Sequence, residues 1–182
     1  ITGEPSLYKS PTDMSVNRAG FAITDDQIAR EAAQQEMIRR YFRYRCEYAM
    51  GFSDKETVQR AELILNDFNL KPENRRVVLP ARRAAQEAVE LKRGSEGIFC
   101  GAALELPDGL IITGSNSPLM HAASSVVIHA IKHLAGIPDK IKLLPATITG
   151  SIGRLKTEIL NEKNVSLDLE EALIALAISA TT

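Results

Sequence analysis

The sequence contains no tryptophan, two cysteines, four methionines and only 5% aromatic residues. Two cysteines, Cys46 and Cys100, cannot build a disulfide scaffold, so this usage predicts a reducing, cytoplasmic setting. Neither charge is in surplus: 22 lysines and arginines face 23 aspartates and glutamates, a formal net charge of -1. That balance withholds the basic field that a general nucleic-acid or anionic-membrane binder needs. Long apolar runs are missing, as is a basic-then-apolar leader, so no membrane span or targeting segment is expected.

What is present is ordinary globular composition, 182 residues with 45% hydrophobic. This is enough chain for one compact domain, or a small domain plus an appendage. The sequence opens at Ile1 without methionine and stops at Thr182 directly after an apolar helix. An apolar segment at an edge needs cover from elsewhere, so the expectation is an excised piece of a longer protein.

Residues 1–23 are rich in proline, serine and threonine and read as an extended lead-in. Thr24, with Gln27 completing a reciprocal capping box, is read as the start of a long helix to Met50, stopped by Gly51. A second helix begins near Ser53-Asp54 and carries Val58, Ala61, Leu65 and Phe68 on one face. The segment Pro72–Arg93 is helical, with Pro80 kinking or splitting it. After Gly94 the pattern changes. Ile98–Leu106 and Leu110–Gly114 read as strands around the turn Pro107-Asp108-Gly109. A helix from Ser117-Pro118 to Gly136 follows, then a short strand Ile141–Leu144. Helices at Ala146–Leu160 and Asp168–Ala180 close the chain, the last boxed by Asp168 and Glu171. The fold class is α+β: a helical part over 24–93, then an α/β layered part over 95–182.

On the long helix, Ile28, Ala32, Ile38, Phe42, Cys46 and Ala49 form one apolar stripe. Met37, Tyr41, Tyr44 and Tyr48 form a second, nearly opposite. A helix apolar on two sides is packed on two sides, so this second stripe is read as an interface. The alternative, an Arg/aromatic run that clamps a single nucleic-acid strand, lacks a surrounding positive field.

His129 and His133 lie i,i+4 on a predicted helix, the spacing of two metal ligands. No third ligand is near in sequence and Lys132 would repel a cation, so no metal site is assigned. The buried face of that helix is read as Ala123, Val127, Ala130, Ile131 and Leu134, which leaves Ser125, His129, Lys132 and His133 solvated. Cys46 and Cys100 read as buried, inert thiols.

The run from Cys100 to Asn116 looks like the first hairpin of the cytidine-deaminase fold: Gly101-Ala102-Ala103, a turn with Asp108-Gly109, then Thr113-Gly114-Ser115-Asn116. In that fold the next helix brings a zinc ligand and a catalytic glutamate. Here His121-Ala122-Ala123 places Ala123 where the glutamate should be, and no Pro-Cys-x-x-Cys follows. Without a proton shuttle and two thiolates the zinc-hydroxide mechanism cannot run, so deaminase activity is excluded while the topology is expected to persist. The candidate ligand site is the strand-to-helix corner: Thr113, Ser115, Asn116, Ser117 and His121. Short polar side chains and helix amides there suit an anion or a polar ligand. The structural alternative is that Asn116 and Ser117 only shape the turn and cap the helix.

Several runs, in order along the chain, resemble the bacterial domain-of-unknown-function family 1846. They are Tyr8-Lys9-Ser10-Pro11-Thr12-Asp13-Met14, Arg30-Glu31-Ala32 with Arg39-Arg40-Tyr41, and Ala103-Leu104-Glu105-Leu106-Pro107-Asp108-Gly109. Leu134-Ala135-Gly136-Ile137 with Leu143-Leu144, and Ser166-Leu167-Asp168-Leu169-Glu170-Glu171-Ala172-Leu173, complete the set. The resemblance implies a longer protein, several hundred residues, whose upstream part carries a Gly-rich, Lys-containing loop like a phosphate cradle. It therefore implies ATP or another nucleotide in the full-length protein, with no cofactor in this stretch. Some members carry an ATP-dependent peptidase label, but no serine, cysteine or zinc protease arrangement stands in this sequence.

These readings converge on a non-catalytic docking and ligand-cleft module of a larger, nucleotide-dependent protein. Its partners would be the missing upstream domain or a second copy. The alternative is a nucleoside- or nucleotide-binding enzyme domain with His121 as acid/base.

Overall fold

The computed structural model describes residues 25–181. The lead-in read at 1–23 and the Thr24 cap lie outside them. The chain divides into two compact units, one through Arg75 and one from Arg76.

In the first unit, α1 (Asp26–Ala49) is capped by Asp25, whose carboxylate accepts the Gln27 and Ile28 amides at 2.9 and 3.0 Å. The Gln27 side chain turns the other way, to Glu31. At Gly51, with φ +79°, the chain reverses. It then enters α2 (Lys55–Asp67), capped by Asp54 through the Thr57 amide at 2.6 Å. That bond holds the Asp54 carboxyl below its usual range. On α1 the Arg39 guanidinium, then Arg40, hold Glu36 down to about 2. A single 3-10 turn at Pro72–Asn74 ties back to α1, where Gln35 donates to the Asn74 carbonyl at 2.9 Å.

Among the described residues of this unit, the buried side chains are Ile38, Val58, Ala61 and Leu65. Phe68, expected on this face, is 57% exposed because the helix ends before it. The first α1 stripe is likewise shorter than its periodicity suggests: Ile28 is 63% exposed and Cys46 is exposed. Side-chain bonds from Gln35, Tyr41 and Arg45 and the Gln35 carbonyl tie α1 to the Asn74–Arg75 turn and to Glu62 of α2.

The second unit begins with α3 (Val78–Glu90). Pro80 does not break it: it sits in the first turn, where a missing N–H costs nothing. β1 (Gly101–Glu105) and β2 (Ile111–Ser115) pair antiparallel, Gly101 opposite Ser115 and Ala102 opposite Gly114. Directly opposed residues share a face, so Gly101 and Gly114 point to opposite faces. Each lets a helix lie on the backbone. A side chain at Gly101 would strike Ala81 and Ala85 of α3; one at Gly114 would strike Ser125 and Val126 of α4 (Ala122–Leu134). The hairpin is thus sandwiched between α3 and α4, and α3 belongs to this unit rather than to a helical part ending at 93. The order helix, two-stranded sheet, helix bears out the α+β class. The deaminase-like topology expected from the sequence is not seen: no third strand joins the sheet among the described residues.

Beyond α4, Ile141–Leu144 is not a strand: Pro138 accepts from Ile141 in a turn and Pro145 follows directly. Leu143 and Leu144 instead supply side chains to a second core around Ile128, Leu167, Ala172 and Ala175. α5 (Ala146–Arg154) runs into a π-turn (Leu155–Ile159), and α6 (Leu169–Thr181) follows. The box at its start is present, Glu171 N–H to Asp168 at 2.8 Å and Asp168 N–H to Glu171 at 2.9 Å. Sitting between the sheet and this core, α4 buries residues around most of its circumference. Ser125 and Lys132, read as solvated, are buried, while Ala123 and Leu134, read as buried, are exposed. No helix of the described residues is long and apolar enough to cross a membrane.

Candidate functional site

The strand-to-helix corner opens into a cavity of about 280 Å³ within the second unit. Three stretches of chain build it: 95–100, 116–122 and 164–166. Of the corner residues, Asn116, Ser117 and His121 line it; Thr113 and Ser115 do not.

Asn116 is buried and its amide is fully used. Its Oδ1 accepts the Cys100 N–H at 2.7 Å and its Nδ2 donates to the Ile98 carbonyl at 2.9 Å. Its own N–H donates to the Cys100 carbonyl. The side-chain amide thereby continues the β1–β2 ladder past the last strand pair and fixes the cavity's rear wall. Ser117 Oγ accepts the Leu119 and Met120 amides at 3.2 and 3.3 Å and shapes the turn. Both residues do the structural work that the turn-shaping alternative ascribes to them.

His121 stands at the N-cap of α4 with no side-chain cap bond. Its N–H donates to the Leu167 carbonyl at 2.9 Å and the Leu167 N–H to Leu119, which staples the corner to the 164–168 loop. Ser166 Oγ reaches the Ser117 and Pro118 carbonyls at 3.1 and 3.0 Å. Behind the loop, buried Lys156 donates to the Ser166 carbonyl at 3.0 Å and to Glu171 at 2.8 Å. Burial works to lower the Lys156 pKa, but the bonds to Glu171 and the nearby Glu162 outweigh it and hold it above its ordinary value.

Cys100 also lines the cavity, and both it and Cys46 are exposed rather than buried. Cys100 immediately precedes β1, and Cys46 lies in the last turn of α1. Both thiols are expected to react with iodoacetamide under native conditions, giving two additions by intact mass. A single addition, or none, would contradict this exposure.

Sequence reading missed Cys100, Asn164 and Ser166 as wall residues. The last two lie more than 40 residues from the corner, 43 from His121 to Asn164, and carry no local signal. The histidine pair lies elsewhere: His129 Nδ1–H donates to the Thr113 carbonyl at 2.9 Å, and Lys132 between the pair donates to the Asp139 carbonyl. In the first unit, Met37 and Tyr44 line a groove of about 390 Å³ between α1 and α2 with Arg40, Arg60 and Ile64. Tyr41 turns instead to Glu62, and Tyr48 is 47% exposed.

Two compact units, a helical hairpin and a helix-flanked β-hairpin with a corner cavity, define the class. Comparison with known proteins gives the family: Domain of unknown function DUF1846, N-terminal, matches residues 1–69, and its C-terminal counterpart residues 73–182. The chain belongs to the DUF1846 family. It is 51% identical over 184 residues to a UPF0371 protein of Clostridium botulinum strain Alaska E43 / Type E3. It is 50% identical over 182 residues to that of strain ATCC 19397 / Type A. Each alignment covers 100% of this chain but 36% of the relative, so the chain spans about a third of the length of these curated relatives.

Proposed function

We propose that the chain serves as a docking and ligand-cleft module within a longer cytoplasmic polypeptide that depends on ATP or another nucleotide. The corner cavity carries this reading: it gathers His121, Cys100 and Asn164 from three separate stretches at the end of a rigid hairpin. The proposed ligand is small and polar, a nucleoside or nucleotide fragment among the candidates. The surfaces left open support the docking half. The first unit leaves Phe52 79% and Leu63 61% exposed, and Ile64, which lines the Met37–Tyr44 groove, 45% exposed. In the second unit Leu173, Ile174 and Ile178 on α6 and Ile159 in the π-turn are exposed. The remaining length of the family's proteins is the natural cover.

Tyr44→Ala separates docking from folding. In the 182-residue chain it is expected to shift the melting temperature little, since Tyr44 is only half-buried. In the full-length protein it should expose new sites to limited proteolysis and lower the melting temperature by several degrees. Equal loss in both would make Tyr44 part of the hairpin's own core and end this reading.

A further inference from the structure

The corner cavity holds an unusual imidazole. Asn164 lies 3.2 Å from His121 Nε2 through its Nδ2. Which end of that amide faces the ring is settled by its other contact: Asn164 Oδ1 accepts the Ser166 backbone N–H at 2.9 Å. A backbone N–H only donates, so oxygen must face it and the NH2 must face the histidine. The imidazole nitrogen opposite an NH2 must accept. His121 is therefore bare at Nε2 and, when neutral, carries its proton on Nδ1, which has no hydrogen-bond partner among the described residues.

Several of the other polar groups of the wall are spent, though the Ser95 and Ser117 hydroxyls each keep an O–H to donate. Asn116 uses both ends of its amide on backbone, Ser117 Oγ accepts two amides, and Ser166 Oγ reaches two carbonyls. The strongest donor left over is an uncharged imidazole N–H. We infer that the cavity recognises a ligand oxygen that only accepts, a carbonyl or carboxylate, through the Nδ1–H of a neutral His121, with Asn164 as the positioning residue that fixes the tautomer. A neutral imidazole held as a donor polarises a carbonyl without transferring a proton to it. This inference rests on reading the cavity as a ligand site.

Asn164→Asp inverts the arrangement with almost no change of shape. One carboxylate oxygen still accepts from Ser166, but the other now faces Nε2 and demands a proton there. The neutral ring is then bare at Nδ1 and cannot donate to the ligand; only the protonated ring can. The other titratable side chains lining the cavity are Glu96 and Cys100, and Lys156, Glu171 and Asp168 lie behind the loop. A Glu96→Gln, Cys100→Ser background removes the first two from the profile.

The test uses the 182-residue chain, with benzamide and benzoate as acceptor probes and benzylamine as a donor-only control. Long-range proton–nitrogen NMR of the ligand-free chain should show His121 protonated at Nδ1. The acceptor probes should shift that nitrogen at alkaline pH, where the ring is neutral. Asn164→Asp should move the proton to Nε2, weaken benzamide about tenfold on the alkaline side, the worth of one good hydrogen bond, and restore binding on the acid side. A ligand-free ring protonated at Nε2, an unchanged pH profile in Asn164→Asp, or benzylamine binding as well as benzamide would overturn the inference while leaving the cavity a ligand site. No binding by any probe would remove the ligand-site reading and this inference with it.

Discussion

Gly114→Ala is expected to destabilise the second unit by about 3 kcal/mol or more, since overpacking against atoms that cannot yield exceeds the usual cost. A β-carbon at Gly114 would lie 2.8 Å from Val126 Cα and 2.9 Å from the Ser125 carbonyl carbon, and closer still to the Val126 nitrogen. All three are helix backbone, so no rotamer change relieves the clash; α4 must lift from β2. Lifting α4 also moves His121 at its N-cap and breaks the His129 bond to the Thr113 carbonyl. For a unit of this size the melting temperature should fall on the order of 10 °C or more. Gly150→Ala is the matched control. It lies in α5 with nothing within 4 Å of the added carbon, so removing a helical glycine should stabilise by about 0.5 to 1 kcal/mol. Thermal unfolding of both variants by circular dichroism checks the pair; a silent Gly114→Ala would mean that α4 does not rest on the hairpin.

This packing also explains which elements could be read from the sequence. Signals that act within a few residues were legible: the Asp168–Glu171 box, the helix start near Ser53-Asp54, and the Pro107-Asp108-Gly109 reversal, where Gly109 has φ +83°. Signals that depend on a partner were not. The buried face of α4 was misassigned because the helix is covered by the sheet on one side and by Leu167 and α6 on the other. Small and polar residues are buried there as readily as apolar ones. Ser124 is 0% exposed because its hydroxyl donates to the Leu167 carbonyl at 3.0 Å. The reading of Ile141–Leu144 as a strand failed for the opposite reason. Leu143 and Leu144 join the core while Ile141 is 46% exposed, and a strand also needs an edge to pair with. In the corner, Asn116 and Ser117 were legible because turn chemistry is local, and His121 through its place in the deaminase-like run. Asn164 was not, since nothing in its own neighbourhood indicates that it faces a histidine far along the chain.

Lys156→Met is the second large effect expected, and it couples the fold to the cavity. The Lys156 side chain is 5% exposed and that of Glu171 is 21%. Attraction across a pair this covered barely offsets desolvation, but removing one partner strands the other. Loss of the ammonium leaves Glu171 with a single amide partner, Asp168, and the Ser166 carbonyl without its donor. A cost of about 3 kcal/mol is expected, at the lower end for a broken buried pair because Glu171 keeps some solvent. Lys156→Met with Glu171→Gln should recover part of it, since glutamine still closes the capping box and no lone carboxylate remains. The pH dependence has a definite sign. The folded-state pKa of Lys156 lies above its ordinary 10.5, so its contribution is complete below that value and is lost as pH rises through the folded-state pKa. Chemical denaturation on a pH series should therefore show an alkaline loss in the native chain that Lys156→Met lacks. Ser166 presents its carbonyl to Lys156, its N–H to Asn164 and its hydroxyl to the 117–118 turn. The variant should thus also broaden or shift the His121 ring signals. Unchanged signals in a destabilised Lys156→Met would show that the ion pair supports α6 alone, and that the loop holds Asn164 against His121 without it.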